Sequence, residues 1–470
     1  VLADQWWSMG VEAHDGYSEI ILYSGPIGYN GQHSVAKALQ KRPMCYSDTY
    51  ITLEPGQIIE KSFYLECYPI EREGTGFQPP LYTTLDLYKP YDAERFATFE
   101  QIVRGKYEFA KKRWIEFDDT AVGFNMYDTS LRKDIVMGWC GQADSPGFSL
   151  QVLGKMLGDA DIESMVQRSM DYLTTFAVDE SKGIFTVGFN GKKFHGGDPV
   201  SCGQAMYNFA KAIEVARKSR KYNITKWEQF LQHASDAVSN RILSPEWNPL
   251  STAEGFYIAP LAIASKLFRQ TRYMDAARKA AELYADRHLA MNGCYWGGTL
   301  DATCEDKEGS WAAFQGFLEM YERTKERKYL DWAKHAMDVC LSYVVVWDIP
   351  LPAGRLADFG FKTTGWTVVS AQNQHIDVYG VLFAPEVYKM GRYLKDDHLC
   401  RLAEVMYRSC YQLTDAYGSQ GEQIQQTNFA QHGDMSNVHK LRGGYSERWT
   451  VFWITAHFLN AAARFEQYKK

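Results

Sequence analysis

This chain of 470 residues has no CxxC pair, no basic run and no long apolar stretch. Each absence removes a class of function. With a formal net charge of −6 and no extended basic run, nucleic-acid binding is excluded as the leading reading. The longest apolar runs, such as Val344–Trp347, fall far short of the roughly 18 residues of a membrane span. No HExxH, Walker or dinucleotide-binding pattern is convincing, so neither a metal nor a cofactor is implied. The nine cysteines (Cys45, Cys67, Cys140, Cys202, Cys294, Cys304, Cys340, Cys400 and Cys410) are odd in number and scattered. They read as free thiols and favour a reducing compartment such as the cytoplasm. The sequence begins at Val1 without Met, so this reading keeps a preceding segment, and with it a periplasmic or secreted location, open.

What the chain does have is aromatic residues, at 14%, and helical periodicity. Flat rings suit both a large helical core and the faces of sugar rings. Residues 1–80 read as β-structure, with short β-rich runs at Glu19–Ser24 and Tyr50–Leu53 and alternation over Ile58–Ile70. A tight turn is expected at Pro55-Gly56. The Pro-rich stretch Thr75–Pro90 reads as a linker, centred on 81–92. From residue 93 onward about twelve amphipathic helices follow. Inner helices are expected to begin near 146, 200, 256, 310, 376 and 447. Outer helices follow near 161, 226, 273, 329 and 397, after a first one over Ala93–Phe117.

The connections alternate. Every second one is short; the others are long and rich in Gly, Trp, Asp and Glu. The outer helices also repeat: RYMDAARKAAELY at Arg272–Tyr284 aligns with KYLDWAKHAMDVC at Lys328–Cys340, and DHLCRLAEVMYRSC at Asp397–Cys410 is a fainter third copy. Six hairpins with all long loops at one end predict a closed ring rather than an open solenoid.

Each long connection brings an acid to an inner-helix start: Asp144, Asp198, Glu254, Glu308, Asp377 and Glu447. Acids there cap free N–H groups and suit the helix dipole, which is the ordinary reading for most of them. A ring of such ends still gathers the rest in one pocket. The richest loop, Trp296–Trp311, carries Asp301, Glu305, Asp306 and Glu308 between two tryptophans. Glycoside hydrolysis needs two carboxyls in different protonation states, and crowding separates their pKa values. The candidate catalytic set is therefore Asp301, Glu308, Glu254, Glu305 and Asp377, with Asp301 and Glu308 foremost. Candidate substrate-binding residues are Trp296, Trp311, Gln372, Asn373, His375, Arg442, Tyr445, His195 and Asp198. Arg442, in RGGYSERW, matches the fork of a sugar carboxylate.

Six hairpins, a preceding sandwich tail (ITLEPGQIIEKSFYLECYPI) and acid–Trp loops together resemble the (α/α)6-toroid glycoside hydrolases, nearest to bacterial enzymes of uronic-acid or plant-type oligosaccharides. The likeness covers about residues 91–470 and is architectural, so no catalytic residue is inherited from it. It implies a mainly α fold: an (α/α)6 toroid over 93–470 preceded by a small, truncated β-sandwich segment over 1–80. It further implies hydrolysis of an oligosaccharide or polysaccharide, with room for a homo-oligomer. The same fold hosts polysaccharide lyases and epimerases, so a lyase acting on a uronate, or a sugar-binding protein without catalysis, stands beside the hydrolase.

Overall fold

The computed structural model describes residues 7–24, 32–33, 44–45, 54–58, 60, 62–127, 132–138, 144–249, 251–291, 307–349, 355–368, 376–416, 418, 420–421, 423–424 and 452–469. The helices are α1 (Gln78–Tyr88), α2 (Phe99–Lys112), α3 (Asp144–Leu157), α4 (Ile162–Leu173), α5 (Pro199–Ser219), α6 (Thr225–Leu243), α7 (Ile258–Phe268), α8 (Thr271–Ala290), α9 (Lys307–Thr324), α10 (Arg327–Ser342), α11 (Arg355–Phe359), α12 (Gly380–Leu394), α13 (Asp397–Ser409) and α14 (Trp453–Tyr468). The inner layer is a ring. Each of α3, α5, α7, α9, α12 and α14 packs on the next, and α14 returns to α3. Each carries its outer partner, α4, α6, α8, α10 and α13 in turn, and α2 packs on α14 to complete the sixth pair. The chain is thus an (α/α)6 toroid; most helices start within three residues of expectation, while α2, α12 and α14 start at 99, 380 and 453 rather than 93, 376 and 447, and Ile376–Asp377 is a short strand ahead of α12.

Helix ends explain why the hairpins turn where they do. A capping box between Thr98 and Gln101 starts α2, and Asp198 followed by Pro199 starts α5. Each short turn after an inner helix holds one residue in the left-handed region: Gly158, Arg220, Arg269, Lys325 and Lys395, with φ between 55° and 71°. In each, the N–H returns to the carbonyl four residues back and closes the helix. Four of the five are basic, which suits the negative end of the dipole.

The repeat seen in the sequence is the buried stripe of the outer layer. Tyr273, Ala277, Ala280 and Tyr284 of α8 correspond to Tyr329, Ala333, Ala336 and Cys340 of α10, and all eight are fully buried. The alanines let each outer helix approach its inner partner closely. An added methylene there would overpack the contact, typically by about 1–3 kcal/mol.

The N-terminal region differs in part from expectation. Trp7–His14 and Tyr17–Ser24 form an antiparallel hairpin. The Pro55-Gly56 turn is present, with Gly56 at φ 86° and Gln57 N–H donating to Glu54 O at 3.0 Å. Residues 62–70 form neither strand nor helix. The stretch read as a linker contains α1, which Gln78 and Tyr82 fasten to the buried Asp338 of α10, each at 2.6 Å. No helix among the described residues is long and apolar enough to cross a membrane.

Between the outer helices, His335 of α10 donates from Nε2 to the carbonyl of His288 on α8 at 3.1 Å. Burial, helped by nearby Arg72, holds the His335 imidazole down at about 4. Burial pushes His288 well below its ordinary value too. The unfolded chain takes up these protons near pH 6.5 while the folded chain refuses them, so stability is full above that pH and falls as the pH drops toward 4. His335→Gln keeps a donor to His288 and should remove roughly a kcal/mol of that loss per pH unit. Urea midpoints of the two proteins at pH 7 and pH 5 check this; parallel pH slopes would rule it out.

Candidate active site at the loop end of the toroid

The inner helices carry polar residues at helical spacing on one face: Ser201, Gln204, Asn208 and Lys211 on α5; Glu308, Trp311, Gln315 and Glu319 on α9; Trp453, His457, Asn460 and Arg464 on α14. In the ring, α5 and α9 are separated by α7, and α5 and α14 by α3. Bonds between them must therefore cross the axis. Gln204 Nε2 donates to Gln315 Oε1 at 3.1 Å, and Asn460 Nδ2 donates to Asn208 Oδ1 at 2.7 Å. Deeper, Arg464 is paired with Glu386 of α12, both almost fully buried. Arg323 of α9 reaches Glu214 of α5 at 2.8 Å near the short-turn end. Side chains close the axis toward the short turns, which makes the inner-helix N-terminal side the candidate pocket, with the Gln204–Gln315 layer as its floor. His457 belongs to that floor. Burial, reinforced by Arg464, keeps it neutral with a pKa of about 3.

The expected acids fall into distinct arrangements around this end. Asp198 caps α5, its Oδ1 accepting from Ser201 N–H at 2.8 Å. Glu254 lies in the 3-10 turn Thr252–Tyr257 that leads into α7. It accepts from Arg241 at 3.0 and 2.6 Å and from Trp247 Nε1 at 2.7 Å. Both oxygens are engaged, so Glu254 ties the start of α7 to α6. Asp377 forms a fully buried ion pair with Lys307 at 2.7 Å and also accepts from Thr367 Oγ1 and Tyr379 N–H. Burial raises its carboxyl against the pull of Lys307. Glu308 is 3% exposed and stands one turn above Trp311 on the axial face of α9. Trp311 is 2% exposed, edge-on to Phe256 at 5.4 Å. It is a packing group of the floor, not the open stacking face expected of it. Trp296, Asp301, Glu305, Gln372, Asn373, His375, Arg442, Tyr445 and Glu447 lie outside the described residues, and so does the Asp144 side chain.

One constellation went unread in the sequence. Strands Ile135–Val136, Gly188–Phe189 and Phe194–His195 form a small antiparallel sheet just before α5. Side chains alternate across it. Phe189 and Phe194 pack against Tyr172 and Phe176, the outer side around α4. Gly188, His195, Val136 and Asp134 therefore face the other way. There His195 Nε2 lies 2.9 Å from Asp134 Oδ1, with the Asp134 side chain 3% exposed and that of His195 36% exposed. The imidazole lies across Gly188, where a Cβ would come within 2.2 Å of its ring. Buried Asn125 fixes the carboxylate's backbone by accepting from Asp134 N–H at 2.7 Å and donating to Arg132 O at 3.0 Å. The strand then runs straight onto the axial start of α5. Gly138, at φ 85°, abuts Ser201, whose carbonyl oxygen a Cβ would meet at 2.0 Å.

A buried carboxylate behind a half-exposed imidazole orients the ring and sustains its charge in proton transfer. Asp134 and His195 are 61 residues apart, and only the sheet register unites them. A signal did exist in the axial stripes: amides at positions 204, 208, 315 and 460 interrupt otherwise apolar helices at the core period.

No protein-family model matches the chain, and no curated protein matches it. Solved structures do. The chain is similar to D-mannose isomerase at 12% identity and TM-score 0.52, over 79% of this chain and 97% of that one. It is similar to the unsaturated glucuronyl hydrolase of Streptococcus agalactiae at 12% identity and TM-score 0.51, over 81% and 95%. The cellobiose 2-epimerase of Bacillus thermoamylovorans B4167 matches at 10% identity and TM-score 0.50, over 78% and 99%. At such identities the shared property is the toroid itself.

Proposed function

We propose that this chain is a carbohydrate-active enzyme, a glycoside hydrolase acting on a uronic-acid-containing oligosaccharide at the loop end of the toroid. The observation that carries the reading is the Asp134–His195 pair, a buried carboxylate and an accessible imidazole beside the start of α5. In this reading Asp134 and His195 form one acid–base unit, and a second carboxyl activates water or attacks the anomeric carbon. Glu308 is the foremost second carboxyl, with Asp301 and Glu305 from the adjoining loop behind it. Glu254 and Asp377 move to supporting roles, because their oxygens are already engaged. Trp296, Gln372, Asn373, His375, Arg442 and Tyr445 remain the proposed sugar contacts from the other long loops. Similar structures named for reactions on sugars, one of them a glucuronyl hydrolase, support the substrate class.

Incubation with a panel of neutral and uronate-containing oligosaccharides tests the reading, with reducing ends, unsaturated products and sugar isomers followed together. New reducing ends without new unsaturation are expected. Newly formed unsaturated product would make the chain a lyase. Isomerised sugar without bond cleavage would make it an epimerase or isomerase. Binding without any product would make it a lectin-like protein.

A further inference from the structure

The strand that supplies Asp134 also supplies a cation. Arg132 lies two residues before it, its Nη2 3.3 Å from Asp134 Oδ2, with its side chain 57% exposed. Its guanidinium carbon sits 3.8 Å from the centre of the Tyr127 ring, a stacking distance. Its carbonyl is held by buried Asn125, so the backbone beneath it is fixed as well. From this geometry we infer that Arg132 reads the carboxylate of the substrate sugar beside the Asp134–His195 pair.

A guanidinium has five N–H donors in one plane. The Tyr127 ring, 3.8 Å from the guanidinium carbon, covers one side of the group. Asp134 lies 3.3 Å from Nη2, and the remaining donors are exposed for a carboxylate. Stacking also removes much of the freedom that a surface arginine would otherwise lose on binding. A neutral sugar hydroxyl could take one of these donors. A carboxylate takes two and adds its charge, so the selectivity is for the acid. Asp134 is both the neighbour of the incoming anion and the partner of Arg132, which holds the guanidinium in place between the two carboxyls. Arg132 is then a specificity residue next to the chemistry, and it does not depend on Arg442.

The inference rests on the proposed function only in placing the sugar on this face, so its test measures binding without turnover. Ligand-observed NMR titrations of the whole chain with methyl β-glucuronoside, methyl β-glucoside and methyl β-glucoside 6-sulfate give the affinities. The wild type should bind the glucuronoside about tenfold more tightly than the glucoside, the worth of one charge-assisted pair. Arg132→Met should erase that preference by weakening the glucuronoside far more than the glucoside. Arg132→Lys, which keeps the charge and loses the fork, should retain only part of it. Three outcomes would overturn the assignment: an unchanged preference in Arg132→Met, equal loss of both sugars, or a 6-sulfate bound as tightly as the carboxylate. Failure of hydrolysis in the oligosaccharide panel would leave these affinities, and this inference, standing.

Discussion

Asp134→Asn is expected to lower turnover by about 10²–10⁴-fold while the protein stays folded, because positioned proton transfer contributes that much. The substitution is isosteric. An asparagine oxygen can still accept from His195 Nε2, and Asn125 still holds the backbone through Asp134 N–H. What disappears is the carboxylate that supports the imidazole and that also anchors Arg132. His195→Gln should cost a comparable factor. The double variant should be scarcely worse than the poorer single one, since groups that act as a unit are not additive. Turnover on the best oligosaccharide, with circular dichroism and urea midpoints as controls for folding, makes the comparison. Turnover in Asp134→Asn within about threefold of the wild type would transfer the acid–base role to other carboxyls. Glu308→Gln and Asp301→Asn would then be the variants to examine, each expected to show losses of orders of magnitude.

The architecture was legible because the toroid is written in local terms. Helical periodicity, capping acids and left-handed turn residues all act within a few residues of one another. The outer-layer repeat from Tyr273 to Tyr284 and from Tyr329 to Cys340 exposes the hairpin period directly. Closure of the ring followed from the number of hairpins and the one-sided long loops. The site was less legible because its signals are shared with structure. An acid at a helix start looks the same whether it caps, pairs or catalyses. Asp198 turned out to cap α5, while Glu254 has both oxygens taken by Arg241 and Trp247. Trp311 looked like a sugar platform and is packed into the floor. Asp134 sits in the first long connection but away from its helix start, and its significance comes from strand register, which brings His195 to it from 61 residues away. Nothing local marks that pairing. The axial amides were within reach of sequence reasoning, since buried polar residues on the axial face of an inner helix need partners, and the amides find them across the ring.

Lys307→Met should destabilise the fold by about 3–5 kcal/mol, the usual result of removing one partner from a fully buried ion pair. Lys307 and Asp377 are both inaccessible to solvent at 2.7 Å, so the aspartate would be left as a buried charge. Thr367 Oγ1 and Tyr379 N–H would still donate to it, which softens the penalty without cancelling it. Burial already raises the Asp377 carboxyl in the wild type, and loss of Lys307 removes the largest opposing influence. A folded-state pKa above the unfolded value gives stability that is present at low pH and lost as the pH rises through the folded value. The Lys307→Met defect should therefore shrink as the pH is lowered below 7 and the raised carboxyl recovers its proton. Asp377→Asn in the same background removes the charge and keeps an acceptor for Thr367. The double variant should recover most of the loss at pH 7 and show no such pH dependence. Urea unfolding of the wild type, both single variants and the double variant closes the cycle. A Lys307→Met protein within about 1 kcal/mol of the wild type at pH 7 would mean that the pair is not what neutralises Asp377.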